Sequence, residues 1–201
     1  KFNFKSNKKL FVIAPGSRPS ELRRHLPTIL KAIPYIKKEI GAIKFILPLA
    51  ESLNLKEVEK LIQSTNVPIT IIKENYFESI QSCDAAIVAS GTASLQAGLA
   101  LKPFFIVYKV SPLTFWIARN LSNTKYVGMV NILAEKEIVP ELLQKEFNVK
   151  NITSKSIMIL QDKDYRVKMI DELKKIKKQL GESGAYNRAA DSIIRFLDRQ
   201  I

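Results

Sequence analysis

Four short stretches of the sequence bring together residue types able to hold a phosphate or a polar ligand. Pro15-Gly16-Ser17-Arg18-Pro19 has a glycine for a tight turn, a serine able to cap a following helix and an arginine. The Arg18 guanidinium is a planar, permanently charged fork that matches phosphate oxygens, although a capped turn with a solvated arginine would read the same. Ala89-Ser90-Gly91-Thr92-Ala93 pairs small residues with two hydroxyls. At a helix start, its backbone N–H groups and the helix dipole would seat a diphosphate; Ser-Gly-Thr also caps helices that bind nothing. Asn131 and Gln144 lie in largely apolar stretches, where an amide needs partners. Those partners are either a ligand or the backbone of a loop stitched to the domain. The fourth stretch, Tyr108 to Arg119, holds the only tryptophan, Trp116, beside Phe115, Lys109 and Arg119. Aromatics beside cations suit a membrane interface or an acylated substrate as well as they suit core packing.

These residues need elements to position them. Short β-branched or aromatic runs at 10–14, 43–47, 69–72, 85–89 and 104–108 alternate with helical patterns near 20–38, 55–64, 77–82 and 92–101. That alternation predicts an α/β fold, a Rossmann-like doubly wound parallel sheet. The first two stretches then fall at the carboxyl edge of the sheet, where such folds bind ligands. Pro34 should kink or shorten the first helix. Past Tyr108 the rhythm breaks: Asn131–Phe147 reads as short helical pieces, and helices follow at 152–160, 164–180 and on to Arg199. The expected division is a Rossmann-like domain over 1–150. A helical extension over 151–201 would pack on it or on a domain outside this chain.

The 201 residues are 46% hydrophobic and 25% charged, a soluble globular balance. A single cysteine, Cys83, excludes an internal disulfide and a multi-cysteine metal site, and a small core thiol suits its place. The one histidine, His25, excludes two-histidine schemes. Asp162-Lys163-Asp164 imitates a metal–nucleotide motif but sits at a helix start, where acidic capping explains it. Neither a dinucleotide fingerprint nor a P-loop occurs, and Ser90 is not in a nucleophile elbow. No run of about 18 apolar residues spans a bilayer. The formal net charge is +13, with ten Lys/Arg against two Glu in residues 1–40. Such a surface favours phosphate-bearing partners, but residues 1–40 lack the interleaved aromatics of a nucleic-acid platform.

Read in order, Pro15-Gly16-Ser17-Arg18, Cys83 to Ala93, Tyr108-Lys109-Val110-Ser111-Pro112-Leu113-Thr114-Phe115-Trp116-Ile117-Ala118, Asn131-Ile132-Leu133-Ala134 and Ile138 to Gln144 resemble the lipid-A-disaccharide synthases. The resemblance implies one lobe of a GT-B fold, the C-terminal donor-binding half, within a chain cut from a longer parent. It implies transfer of 2,3-diacylglucosamine from its UDP donor to 2,3-diacylglucosamine 1-phosphate, releasing UDP. No cofactor and no metal are implied, since the UDP-sugar is a substrate. The setting would be cytoplasmic, peripheral to the inner membrane, with an N-terminal domain supplying the acceptor site, a homodimer left open, and no nucleic acid. Arg18, Asn131 and Gln144 match positions the family uses at its active site. Gly16, Ser17, Arg18, Ser90, Gly91, Thr92 and Gln96 are the expected donor-binding set. Two departures stand out. Gln96 replaces a usual Glu suited to ribose hydroxyls, and Val130 replaces a usual Pro, which should loosen that loop. Other readings are a different GT-B protein acting on UDP-GlcNAc, a basic nucleic-acid module, and a catalytically inactive membrane-surface partner.

Overall fold

The computed structural model describes residues 8–73, 75–111, 125–181 and 184–198. Strand β1 (Lys9–Ala14) is apolar from Leu10 onward and buried there, which only a strand covered on both faces tolerates. It is followed by α1 (Pro19–Ile40), β2 (Ile43–Leu49), α2 (Leu55–Ile62), β3 (Ile69–Lys73), α3 (Tyr76–Ser82), β4 (Ala85–Ala89), α4 (Thr92–Leu99) and β5 (Phe104–Tyr108). Then come α5 (Met129–Ala134), β6 (Glu141–Leu143), α6 (Val149–Gln161), α7 (Lys163–Gln179) and α8 (Ala185–Asp198). The strands form one six-stranded sheet in the order β3-β2-β1-β4-β5-β6, every neighbouring pair parallel. This is the expected Rossmann-like doubly wound parallel sheet. The order reverses between β1 and β4, so a crevice opens at their carboxyl ends.

Two sequence expectations are corrected. The first helix is not shortened: α1 runs through both Pro27 and Pro34 to Ile40. Each proline forfeits one helical hydrogen bond. Burial of Leu22, Leu26, Ile29, Leu30, Ile33 and Ile36 along one face offsets that loss. Secondly, residues 131–147 are not only helical. Glu141–Leu143 pairs in parallel with β5, a three-residue edge strand too short for any period to show.

Asp84 fixes the start of β1, its carboxylate accepting from the Leu10 amide at 2.8 Å. Cys83 beside it is a buried core thiol. Helices α6 and α7 join the same core through Ile152, Ile159, Leu160, Met169, Leu173 and Ile176, α6 packing along α1. Asp162 caps α7, accepting from the Tyr165 amide at 2.9 Å. By contrast, α8 exposes Tyr186, Ile193, Ile194, Phe196 and Leu197. Among the described residues no helix is long and apolar enough to cross a membrane.

Candidate nucleotide-binding site

A concavity of about 620 Å³ lies at the reversal point, bounded by Ala14, Leu49 and Ala89 at the ends of β1, β2 and β4. Gly16, Ser17 and Arg18 line one side; Ser90, Gly91, Thr92 and Gln96 line another. The two turns singled out from sequence therefore share one cavity. Its size is that of an ordinary small-molecule pocket.

The second turn starts a helix at the edge of the cavity. Gly91 adopts φ +136°, a conformation an L side chain rarely takes. It opens α4, whose first amides, at Thr92 and Ala93, have no partner within the helix. Ser94 turns inward, both its amide and its hydroxyl donating to the Gly91 carbonyl. Ser90 does not present its hydroxyl to the cavity as a free group, because that hydroxyl donates to the Val127 carbonyl at 2.9 Å.

The first turn is organised differently from its sequence reading. The residue that caps α1 is Arg18 rather than Ser17, with Pro19 at the first helical position. Glu21 reaches back from the first helical turn and accepts from the amides of Ser17 at 3.1 Å and Arg18 at 3.3 Å. The Glu21 carboxylate also lies 3.6 Å from the Arg18 guanidinium. A Cβ on Gly16 would come within 2.4 Å of that carboxylate, so the glycine makes room for Glu21. The Ser17 and Arg18 amides are thus already committed. The Arg18 side chain, 77% exposed and paired with Glu21, is the cation this turn brings to the cavity.

The far wall was not foreseen from sequence. Glu51, Asn75 and Tyr76 also line the cavity. The Tyr76 hydroxyl donates to the Ala93 carbonyl at 2.8 Å, bracing the first turn of α4, and burial pushes the phenol far above its ordinary value. Asn75 holds a left-handed φ of +76°, which short polar side chains tolerate. That asparagine between a strand and a helical pattern was the available signal.

Asn131 and Gln144 do not line the cavity. Asn131 is fully buried in α5. Its oxygen accepts from the amides of Ile138 and Val139 at 2.8 and 3.0 Å, and its nitrogen donates to the Val139 carbonyl and to Glu141, both at 2.8 Å. Glu141 in turn accepts from the amides of Val127 and Gly128, both at 2.9 Å. Gln144, at φ +47° beyond β6, accepts from the Val110 amide at 3.3 Å. Both amides fasten the chain on either side of residues 112–124. Most of the aromatic stretch that begins at Tyr108 lies outside the described residues. Val130 does not loosen its turn: it is fully buried, and a Cβ on Gly98 of α4 would meet it at 2.6 Å.

A doubly wound lobe with one cavity at its reversal point, fitted with a helix N-terminus and an arginine, defines a Rossmann-like ligand-binding lobe. The family model described as lipid-A-disaccharide synthetase matches residues 1–194, and the chain belongs to that family. It is 36% identical over 198 residues to the lipid-A-disaccharide synthase of Persephonella marina, covering 96% of this chain and 52% of the relative. The corresponding protein of Trichlorobacter lovleyi is 31% identical over 198 residues, covering 98% of this chain and 52% of that one. The chain therefore spans about half the length of the curated relatives it matches. In fold it is similar to the S. aureus MnaA–UDP co-structure, with a TM-score of 0.63 at 15% identity, over 98% of this chain and 49% of that one. It is also similar to UDP-GlcNAc 2-epimerase from Neisseria meningitidis bound to UDP-GlcNAc. There the TM-score is 0.56 at 16% identity, over 87% and 45% of the two chains.

Proposed function

We propose that this chain is the donor-binding half of a lipid-A-disaccharide synthase, a hexosyltransferase. It would seat UDP-2,3-diacylglucosamine with the diphosphate between Arg18 and the first turn of α4. The observation that carries the proposal is the meeting of those two groups in one cavity of nucleotide size. In the transfer, the 6-hydroxyl of 2,3-diacylglucosamine 1-phosphate attacks the anomeric carbon with inversion, and the bond to the UDP oxygen breaks. Negative charge grows on the departing phosphate, where the α4 dipole and the Arg18 guanidinium offset it. The hydroxyl proton goes to a base carried by the half of the relatives' length that this chain does not span. No metal or cofactor enters these steps. Asn131 and Gln144 serve the site indirectly, as fastenings of the loops beside it, and Gln96 takes the ribose by uncharged hydrogen bonds.

The exposed apolar face of α8 supports packing against that other half, since a lone helix gains little from leaving such residues in water. Diacylated substrates and the net charge of +13 favour the cytoplasmic surface of the inner membrane. Calorimetric titration of UDP into the 201-residue chain tests the reading. Saturable binding weakened about tenfold by Arg18→Ala, with the melting temperature little changed, is expected; absence of UDP binding to the wild-type chain would refute it. The chain alone should form no disaccharide, and product formation by it would show that the base lies here after all.

A further inference from the structure

His25 is fully buried in α1 and makes two hydrogen bonds to main chain far apart in sequence. Nδ1 lies 2.7 Å from the Pro15 carbonyl, and the Lys109 amide lies 3.0 Å from Nε2. These partners dictate the proton's place. A carbonyl oxygen can only accept, so Nδ1 carries the hydrogen; an amide N–H can only donate, so Nε2 is bare. The ring is neutral and of one tautomer. A second proton would set Nε2–H against the Lys109 N–H. Tyr108 and Phe147 pack against the ring at centroid distances of 6.0 and 5.6 Å, leaving it no other rotamer to occupy cheaply.

The two partners belong to strand ends that the sheet itself cannot join. Pro15 follows β1 and Lys109 follows β5, and β4 lies between them, carrying the Ser90-Gly91-Thr92 turn at its own end. The Pro15 carbonyl also begins the turn whose other amides Glu21 holds. Glu21 therefore secures one side of the turn that carries Arg18, and His25 secures the other.

We propose that His25 is a positioning residue for the nucleotide cavity. As a neutral, Nδ1-protonated imidazole it fixes the Arg18 turn to the exit of β5, across the strand that bears the α4 N-terminus. This rests on the reading of the cavity as a UDP site and adds a residue that touches no nucleotide. Its loss would disorder the distance between Arg18 and the first-turn amides of α4 without removing either group.

The test is UDP titration at pH 7.5 into the wild-type chain and the His25→Phe and His25→Asn variants, with ¹⁵N spectra of the wild-type imidazole. Phe fills the ring's space and satisfies neither backbone partner. Asn can keep the Pro15 contact and gives up the Lys109 contact. Folded His25→Phe should bind UDP about tenfold more weakly and His25→Asn at least threefold more weakly, with Nδ1 protonated and Nε2 bare in the spectra. A role confined to packing would lower the melting temperature and leave the affinity of the folded fraction alone. Loss of less than threefold in folded His25→Phe, or the opposite tautomer, overturns the proposal. If that variant does not fold, unchanged affinity in His25→Asn overturns it equally. A wild-type chain that fails to bind UDP removes the site reading and this proposal together. A wild-type chain that binds beside an indifferent His25→Phe removes this proposal alone.

Discussion

Burial holds the His25 imidazole below its ordinary value of 6.5, outweighing the Pro15 carbonyl and the nearby Glu21 carboxylate, while Arg24 pushes the same way as burial. Stability follows from that direction. As pH falls through about 6.5 the unfolded chain takes up a proton that the folded chain refuses, so folding free energy is complete above this point and shrinks below it. The slope approaches about 1.4 kcal/mol per pH unit until the folded value is reached. Urea unfolding at pH 7.5 and pH 5.5 should show the wild-type chain losing more stability than His25→Phe over that interval. Equal losses would mean that the imidazole titrates alike in both states. None of this was legible from the residue's setting between Arg24 and Leu26, because both partners are main-chain atoms brought near by the fold. Arg18 shows the same limit from the other side. Its place at the cavity could be read from sequence, whereas the capture of its own amide by Glu21 could not.

The elements themselves were easier to foresee than their joints. The two middle strands, β1 and β4, are short apolar runs closed by Pro15 and Ser90, and burial on both faces demands such runs. Helix α1 crossing two prolines and β6 with only Leu142 buried escaped because tertiary packing, not local preference, decides them. Glu51, Asn75 and Tyr76 reach the cavity from β2 and β3, and no spacing along the chain announces that meeting. The joint between α5 and β6 is the one most open to test. Asn131→Ala strips acceptors from the Ile138 and Val139 amides and a donor from the Val139 carbonyl, all within a buried turn. A loss of about 3 kcal/mol in unfolding free energy is expected from such orphaned groups. Any effect on UDP binding should follow only through Glu141, the Val127 amide and carbonyl, and the Ser90 hydroxyl. A stable Asn131→Ala chain would contradict the hydrogen-bond accounting.

At the scale of the whole molecule, the apolar side chains among the described residues are divided between a buried core and an exposed face of α8. Ile193→Lys and Leu197→Lys alter side chains 61% and 54% exposed. Each should move the unfolding free energy of the chain by no more than about 0.5 kcal/mol, as surface changes usually do. In a chain extended to the relatives' full length, the same changes should weaken docking of the two halves, read as lost transferase activity. Full activity in both would mean that the helix faces water in the complete enzyme as well. Cys83 gives the molecule a clock. It is the sole thiol, 2% exposed, and burial pushes it up to about 12, so a thiol reagent finds almost no thiolate to attack while β1 and β4 stay closed. Its labelling rate in native buffer would time how often that seam parts, and saturating UDP, proposed to sit at the ends of both strands, should slow the ticking.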